Sequence, residues 1–262
     1  MSLLEGAAVL LAGVWAGVIN TVVGSGTLVT FPVLLAIGVP PVPANVSNAL
    51  GLIPGSVAGA IGYRRELAGQ RARVVRLGIA CVVGGAAGAV LLLVLPPGAF
   101  EAIVPVLILL GVSLVIVQPW LARRVRERAE AVGDAHLPDA SWVTPAMLMT
   151  GVYGGYFGAA FGVISMGVLG SGIHDNLQRL NALKNVLAAA ANAMASAVFI
   201  GVAGLGLVDG VEIDWTAAGL IALGATGGGF VGAKVGRKLP PLALRIVIVV
   251  IGLVAVSAIV LR

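Results

Sequence analysis

The sequence is poor in charged side chains and in residues that bind metals. Only 10% of its 262 residues are Asp, Glu, Lys or Arg, against roughly 25% in ordinary soluble domains. Its single cysteine, Cys81, excludes a disulfide within the chain and a cysteine-rich metal cluster. Its two histidines, His136 and His174, leave little for zinc chemistry. A soluble fold and a metalloenzyme are therefore both disfavoured.

The motifs of common catalytic sites are also missing. The chain has no H-E-x-x-H segment, no P-loop with Gly-Lys-Ser/Thr and no cysteine pair. ATP-driven transport within this chain is thereby excluded. We expect a protein that is not an enzyme and that has no catalytic residue, no metal ligand and no cofactor.

What the sequence has in excess is apolar side chain. Hydrophobic residues make up 59% of the chain, and the mean hydropathy is +1.08. A soluble domain of this length would need more polar side chain to cover its surface, so the excess must face lipid. The sequence therefore predicts an all-α protein that crosses the membrane several times.

Two of the apolar runs are too short to span a bilayer. A spanning helix needs about 20 residues, whereas 10–14 residues suit a re-entrant or broken helix. The short runs, 27–38 and 163–173, each follow a glycine-rich break, at 24–26 and 158–162, so we predict that each is the second leg of a hairpin. The other runs are 4–23, 46–63, 73–95, 99–121, 142–162, 181–203, 213–233 and 240–261.

The basic residues orient these runs, because short cytoplasmic loops collect Lys and Arg. The loops predicted to be cytoplasmic carry Arg64, Arg65, Arg71, Arg73, Arg76, Arg123, Arg124, Arg126, Arg128, Arg179, Lys184, Lys234, Arg237 and Lys238. The stretches 38–44, 96–101 and 204–214 contain no Lys or Arg and are predicted to lie outside. This assignment explains the net charge of +5 without nucleic acid. It also places both termini outside the cell membrane.

The sequence repeats itself at an interval of about 140 residues. Gly24 matches Gly162 at a shift of 138, and Asn48 matches Asn185 at a shift of 137. A Leu-Pro-Pro tripeptide recurs at a shift of 144. Gly-x-x-x-Gly pairs recur with it and predict faces where helices approach closely. A shared order at nearly one shift indicates a duplication.

The topology makes the two halves oppositely oriented. We predict two inverted-topology repeats, each a broken or re-entrant helical hairpin followed by three transmembrane helices. Residues 1–121 form the first repeat, 122–141 a cytoplasmic linker and 142–262 the second repeat. Such halves are typical of secondary transporters, in which broken helices meet near the bilayer midplane. A membrane scaffold of the same ancestry is the alternative.

Polar residues inside the spans form the predicted substrate site, since such residues usually face a cavity or another helix. Ser25 is expected to be the N-cap of the helix over 27–38, whose positive end would attract an anion. The turn near Gly162 would present a second positive end. The predicted substrate-binding residues are Asn20, Gly24, Ser25, Gly26, Thr27, Asn48, Gly162, Ser165, Lys184, Asn185 and Asn192.

Two charged positions leave alternatives open. Lys184 is either the counter-ion of a bound anion or a side chain that extends to the lipid headgroups. His174 and Asp175 either relay a proton at the cytoplasmic mouth or form a solvated loop pair. No Asp or Glu lies well inside a span, so the carboxylate relay of many proton-coupled carriers is missing.

Three segments resemble one known family. They are Gly17-Val-Ile-Asn-Thr-Val-Val-Gly-Ser-Gly-Thr-Leu28, Asn181-Ala-Leu-Lys-Asn-Val-Leu187 and the glycine-rich stretch 227–240. All three resemble the TauE/SafE family, and the similarity covers almost the whole chain. The resemblance implies a multi-pass permease for sulfite, taurine-derived sulfonates or sulfoacetate, with aryl-sulfonate uptake in some members.

We therefore expect a secondary transporter that exports small sulfur-containing anions such as sulfite, sulfoacetate or other organosulfonates across the plasma membrane by alternating access. Two alternatives are a permease for another small anion or solute, and a non-transporting membrane partner of an enzyme complex. The expected partners are a small anionic substrate and membrane lipid, not nucleic acid. A homodimer is compatible with the sequence.

Overall fold

The structure is a computed structural model that describes residues 1–132, 138–206, 208, 212–235 and 241–260. Some residues discussed above lie outside these ranges. They are His136 and the rest of 133–137 in the predicted linker, positions 207 and 209–211 of the predicted outer loop, residues 236–240 with the basic Arg237 and Lys238 and the first two residues of the second Leu-Pro-Pro, and residues 261–262, where the last predicted run ends.

The described residues form ten α-helices and contain no strand, which confirms the all-α prediction. The helices are α1 (Leu3–Val22), α2 (Thr27–Ala36), α3 (Pro41–Gly62), α4 (Arg71–Val94), α5 (Pro97–Val132), α6 (Val143–Tyr156), α7 (Phe161–Gly172), α8 (Leu177–Leu205), α9 (Trp215–Val235) and α10 (Pro241–Val260).

Five of the described helices are long and apolar enough to cross a membrane: α1, α4, α5, α8 and α9. Large apolar side chains lie exposed along them, among them Leu11, Val83, Val106 and Leu223. Exposed apolar residues in such numbers need a lipid environment. The chain is therefore a multi-pass membrane protein, as its composition predicts.

The short helices α2 and α7 confirm the predicted interruptions. They have 10 and 12 residues, too few to cross a bilayer. Each follows a longer helix after a break of four residues, 23–26 in one half and 157–160 in the other. The predicted run over 142–162 is wrong as one element, because α6 ends at Tyr156 and Gly162 already belongs to α7.

The main contacts between a helix of the first half and one of the second have counterparts in which the two halves swap roles. Helix α1 packs on α9, and α6, its counterpart in the second half, packs on α4. In the same way α3 contacts α9 and α8 contacts α4, while α2 contacts α10 and α7 contacts α5. Two repeats would give this pattern, and the duplication itself stays a prediction. The opposite orientation of the halves in the membrane stays a prediction.

Glycines bring these helices into backbone contact. A Cβ atom on Gly17 of α1 would lie 2.3 Å from the carbonyl oxygen of Ala225 in α9. In the second half, a Cβ atom on Gly155 of α6 would lie 2.1 Å from the carbonyl oxygen of Gly85 in α4. Neither position has room for any other residue, so the glycine faces predicted from the sequence form the contacts between halves.

Helix α5 extends further than the predicted linker boundary. It continues through the first part of 122–141 to Val132. Arg123 donates to Glu127 four residues later at 2.6 Å, an (i, i+4) pair that supports helix at an exposed position. The charged residues after 121 therefore end the apolar run but not the helix.

Candidate functional site

The first break ends α1 with a glycine turn. The backbone amides of Val23 and Gly24 both donate to the carbonyl oxygen of Ile19, at 2.7 and 3.0 Å. Gly24 has a φ of +88°, a left-handed conformation that disfavours every side chain. The chain can then reverse, and α2 begins at Thr27.

The second break contains the same kind of glycine turn, four residues before the position that the shift of 138 pairs with Gly24. Gly158 has a φ of +73°, and its amide donates to the carbonyl oxygen of Tyr153 at 3.0 Å. The conformational counterpart of Gly24 is therefore Gly158, and the predicted equivalence of Gly24 with Gly162 is wrong for the turn. The packing glycine Gly155 precedes its turn glycine by three residues, whereas Gly17 precedes Gly24 by seven, a difference of four.

Gly24 and Gly162 instead contact each other. The amide of Gly162 donates to the carbonyl oxygen of Gly24 at 2.9 Å. A Cβ atom on either residue would lie 2.3 Å from the Cα atom of the other. The breaks of the two halves therefore meet backbone to backbone, and one amide from the first turn of α7 is already bonded to the opposite hairpin.

Ser25 does not cap α2, so that prediction is wrong. Gly26 occupies the N-cap position and has no side-chain hydrogen bond to the helix. The hydroxyl of Ser25 is buried and has no hydrogen-bond partner in the structure. The turn places Ser25 before the capping position, which leaves its hydroxyl available for another acceptor or donor.

Asn48 of α3 binds the first turns of α2. Its amide nitrogen donates to the hydroxyl oxygen of Thr27 at 3.1 Å. Its amide oxygen accepts a short hydrogen bond from the hydroxyl of Thr30. All three side chains are buried. Asn48 therefore holds the start of α2 against α3, next to the break.

Lys184 of α8 is completely buried, with 0% of its surface exposed. Its Nζ donates to the carbonyl oxygens of Asn20 and Thr21, each at 3.2 Å. The side chain therefore points into the protein, and the alternative in which it extends to the lipid headgroups is wrong. Among the described residues, none of the ion pairs includes Lys184.

Two asparagines of α8 bind the same carbonyl group. The amides of Asn181 and Asn185 donate to the oxygen of Thr21, at 3.3 and 3.5 Å. The last carbonyls of a helix lack partners within the helix and carry its negative dipole end. Because α1 ends at Val22, Asn20 and Thr21 supply such carbonyls, and α8 caps them with one ammonium and two amides.

The end of α6 has a single neutral cap. The amide of Asn45 in α3 donates to the carbonyl oxygen of Tyr156, the last residue of α6, at 2.9 Å. Asn45 is buried, as Lys184 is. Each broken helix is therefore capped by a side chain from the third helix of the opposite half, and within the described ranges a lysine takes part only at the end of α1.

The remaining predicted residues lie around these contacts. Asn20 donates to the hydroxyl of Ser56 at 3.0 Å, which ties α1 to α3. Ser165 donates to the carbonyl of Phe161 within α7 at 2.7 Å. Asn192 is half-buried on α8. The structure brings Asn20, Lys184 and Asn185 together at the end of α1, and Gly24 against Gly162.

Sequence reasoning left Thr21, Thr30, Asn45 and Asn181 out of the predicted site. Asn45 and Thr30 are polar residues inside spans, so polarity alone could have included them. Asn181 lies four residues before Asn185, a spacing that places both amides on one helix face. Their partners, however, come from the opposite half of the chain.

A second polar cluster lies at the end of the molecule predicted to be cytoplasmic. Arg73 donates to Asp139 at 2.8 Å and to Asp175 at 2.7 Å. Arg76 pairs with Asp139 at 2.5 Å, and Arg179 pairs with Asp175 at 2.8 Å. The solvated-pair alternative for Asp175 is therefore wrong, since this carboxylate joins α4 to α8.

Asp139 lies in the segment before α6 and accepts hydrogen bonds from both Arg73 and Arg76. Its burial acts to raise its pKa, but hydrogen bonds and charge from Arg73 and Arg76 outweigh burial and hold the pKa below its usual value. Asp139 therefore stays ionised at neutral pH and fixes the segment before α6 to the start of α4.

Comparison with known proteins agrees with these features. The family described as sulfite exporter TauE/SafE matches residues 9–259. Three Escherichia coli strains, K12, O6:H1 and O157:H7, have relatives named "Probable membrane transporter protein YfcA". Each is 26% identical over 225 residues, which cover 86% of this chain and 76% of the relative. No solved structure matches the chain at comparable significance.

Proposed function

The chain belongs to the sulfite exporter TauE/SafE family and is a membrane transporter rather than an enzyme, and we propose that it exports small sulfur-containing anions. The proposed substrates are sulfite, sulfoacetate and other organosulfonates. The proposed site is the region where the two hairpin breaks meet, with the residues predicted from the sequence together with Thr21 and Asn181.

The buried ammonium of Lys184 carries this proposal. An ammonium group has three N–H donors, and two of them reach the carbonyl oxygens of Asn20 and Thr21. No carboxylate within the described residues pairs with it. A buried unpaired charge costs several kcal/mol, so an anion bound to the third donor would offset that cost.

Hydroxyl groups around the first break support an oxyanion site. The side-chain oxygens of Thr21 and Ser25 are buried and have no hydrogen-bond partner in the structure. A buried hydroxyl without a partner costs about 1–3 kcal/mol. The oxygens of a sulfite or sulfonate group could accept from both hydroxyls. The break would then contribute neutral donors beside the charge of Lys184.

Transport requires the site to open to each side in turn. The contacts between halves, such as the hydrogen bond from Gly162 to Gly24, lie where one repeat would move against the other. With the cytosol negative, each unit of negative charge that leaves gains about 2.3 kcal/mol per 100 mV. The membrane potential alone could therefore drive export of an anion.

Flux measurements in proteoliposomes test the proposal. We expect Lys184→Met to reduce labelled sulfite flux by about 10- to 100-fold, the effect of losing a hydrogen bond to a charged group. Lys234→Met is the matched control, because Lys234 is exposed at the end of α9, and it should transport normally. Equal flux in wild type and Lys184→Met would remove Lys184 from the site.

Competition distinguishes the cargo alternatives. Unlabelled sulfoacetate and other sulfonates should slow labelled sulfite flux through the wild-type protein. A carboxylate or a cation that competes better than any sulfonate would show that the transporter serves another solute.

A further inference from the structure

We propose that the ammonium of Lys184 is a tethered cation that occupies the coupling-ion position at the end of α1, so that transport needs no sodium. This inference rests on the proposed function for its transport consequence. The occupied cation position itself can be tested without any substrate.

The position has the ligands of a cation site. The carbonyl oxygens of Asn20 and Thr21 lie in the last turn of α1, where the negative end of the helix dipole adds to their charge. In transporters with broken helices, such C-terminal ends and unwound carbonyls coordinate sodium. Here both oxygens lie 3.2 Å from Nζ of Lys184.

A further oxygen belongs to the same residue. The hydroxyl of Thr21 is buried and has no hydrogen-bond partner in the structure. Oxygen is the ligand atom that hard cations prefer. Without the Lys184 side chain, the carbonyl oxygens of Asn20 and Thr21 and the hydroxyl of Thr21 would remain as ligands for a free cation.

Charge balance allows one cation at this place. The described residues supply no carboxylate partner for Lys184, and no group of three or more His, Cys, Asp or Glu side chains among them could hold a metal. A sodium ion beside the ammonium would place two unpaired positive charges in a buried site. Lys184 therefore excludes sodium by repulsion as well as by position.

The experiment measures the thermal unfolding of purified protein in detergent, in sodium chloride and in choline chloride at equal ionic strength. Wild type should have the same Tm in both salts. In choline chloride, the Tm of Lys184→Ala should be lower than that of wild type by about 2–4 °C or more. Its Tm should recover with increasing sodium or potassium, because an ion that binds the folded state stabilises it. Lys234→Ala is the control and should behave as wild type.

Three results would overturn the inference. They are a wild-type Tm that rises in sodium but not in choline, a Lys184→Ala Tm with no cation-specific recovery, and wild-type flux that requires a sodium gradient. If Lys184→Ala does not fold, Lys184→Gln takes its place and the wild-type comparison still decides. Absence of sulfite and sulfonate flux would count against the proposed function, while the unfolding measurements would remain readable.

Discussion

The two helix breaks end α1 and α6 with the same backbone turn, but different side chains bind the last carbonyls of the two helices. Both end in a glycine with positive φ, Gly24 in one half and Gly158 in the other. The last carbonyls of α1 accept from Lys184 and two asparagines, whereas the last carbonyl of α6 accepts from Asn45, the one side-chain donor to it among the described residues. Both breaks thus share a glycine turn, but Lys184 contacts only the first of them.

The difference extends to the residue that the predicted repeat pairs with Lys184. The shift of 137 that matches Asn185 with Asn48 also matches Lys184 with Ser47. Ser47 is buried too, but its hydroxyl accepts a hydrogen bond from the amide of Asp214 before α9. Ser47 therefore binds the segment before α9, whereas Lys184, at the matching position of the second half, binds the end of α1.

The largest expected effect breaks the feature that the halves share. Gly17→Val and Gly155→Val would place Cβ atoms 2.3 and 2.1 Å from carbonyl oxygens of the facing helices. Each should lower the free energy of unfolding by about 1–3 kcal/mol or more, because the helices must separate. Thermal unfolding in detergent measures this loss.

Gly78→Ala and Gly201→Ala are the controls for this prediction, since a Cβ atom on either would meet nothing within 4 Å. Both should be neutral or slightly stabilising, because alanine favours helix over glycine. If all four variants unfolded alike, close packing would not explain the glycine faces.

The next effect separates the two caps. Asn45→Ala leaves the carbonyl of Tyr156 without its side-chain donor and should cost about 1–3 kcal/mol of stability. The variant that folds should keep its preference for anions, since the removed group is neutral. Unfolding and flux competition measured on the same preparation check both parts. A change in charge preference would show that the second break also selects the substrate.

The smallest effect lies at the end predicted to be cytoplasmic. The pKa of Asp139 is lowered by Arg73 and Arg76, so its contribution to stability is present above the pKa of the unfolded state, about 3.9. That contribution is lost as the pH falls through the lower pKa of the folded state. Unfolding of wild type and Asp139→Asn between pH 7 and pH 3 should therefore converge toward the acid end. A constant difference between them would contradict the assignment.

The sequence predicts the frame better than the site. Length and hydropathy locate the short helices α2 and α7, and glycine spacing locates the faces between halves. The turn of the second break was matched to Gly162 rather than to Gly158, because several glycines lie between Gly154 and Gly162 and composition alone does not show which one adopts positive φ. That choice depends on where α6 packs on α4.

The role of Lys184 lies beyond local sequence patterns. Its two acceptors are 163 and 164 residues away in the chain, at the end of a helix in the other half. The sequence placed Lys184 in one predicted site with residues of the first hairpin, but it left open whether the side chain contacts a bound anion or the headgroups. Only the packing of α8 against the broken end of α1 reveals the carbonyls that its ammonium contacts.

The most direct test of the central claim locates a bound anion. Selenite is a close analogue of sulfite, and its selenium atom gives an anomalous signal in crystals soaked with it. We predict a peak at the meeting point of the two breaks, with a selenite oxygen about 3 Å from Nζ of Lys184, and no such peak in Lys184→Met. Selenite bound elsewhere in both proteins, with this position empty, would contradict the account.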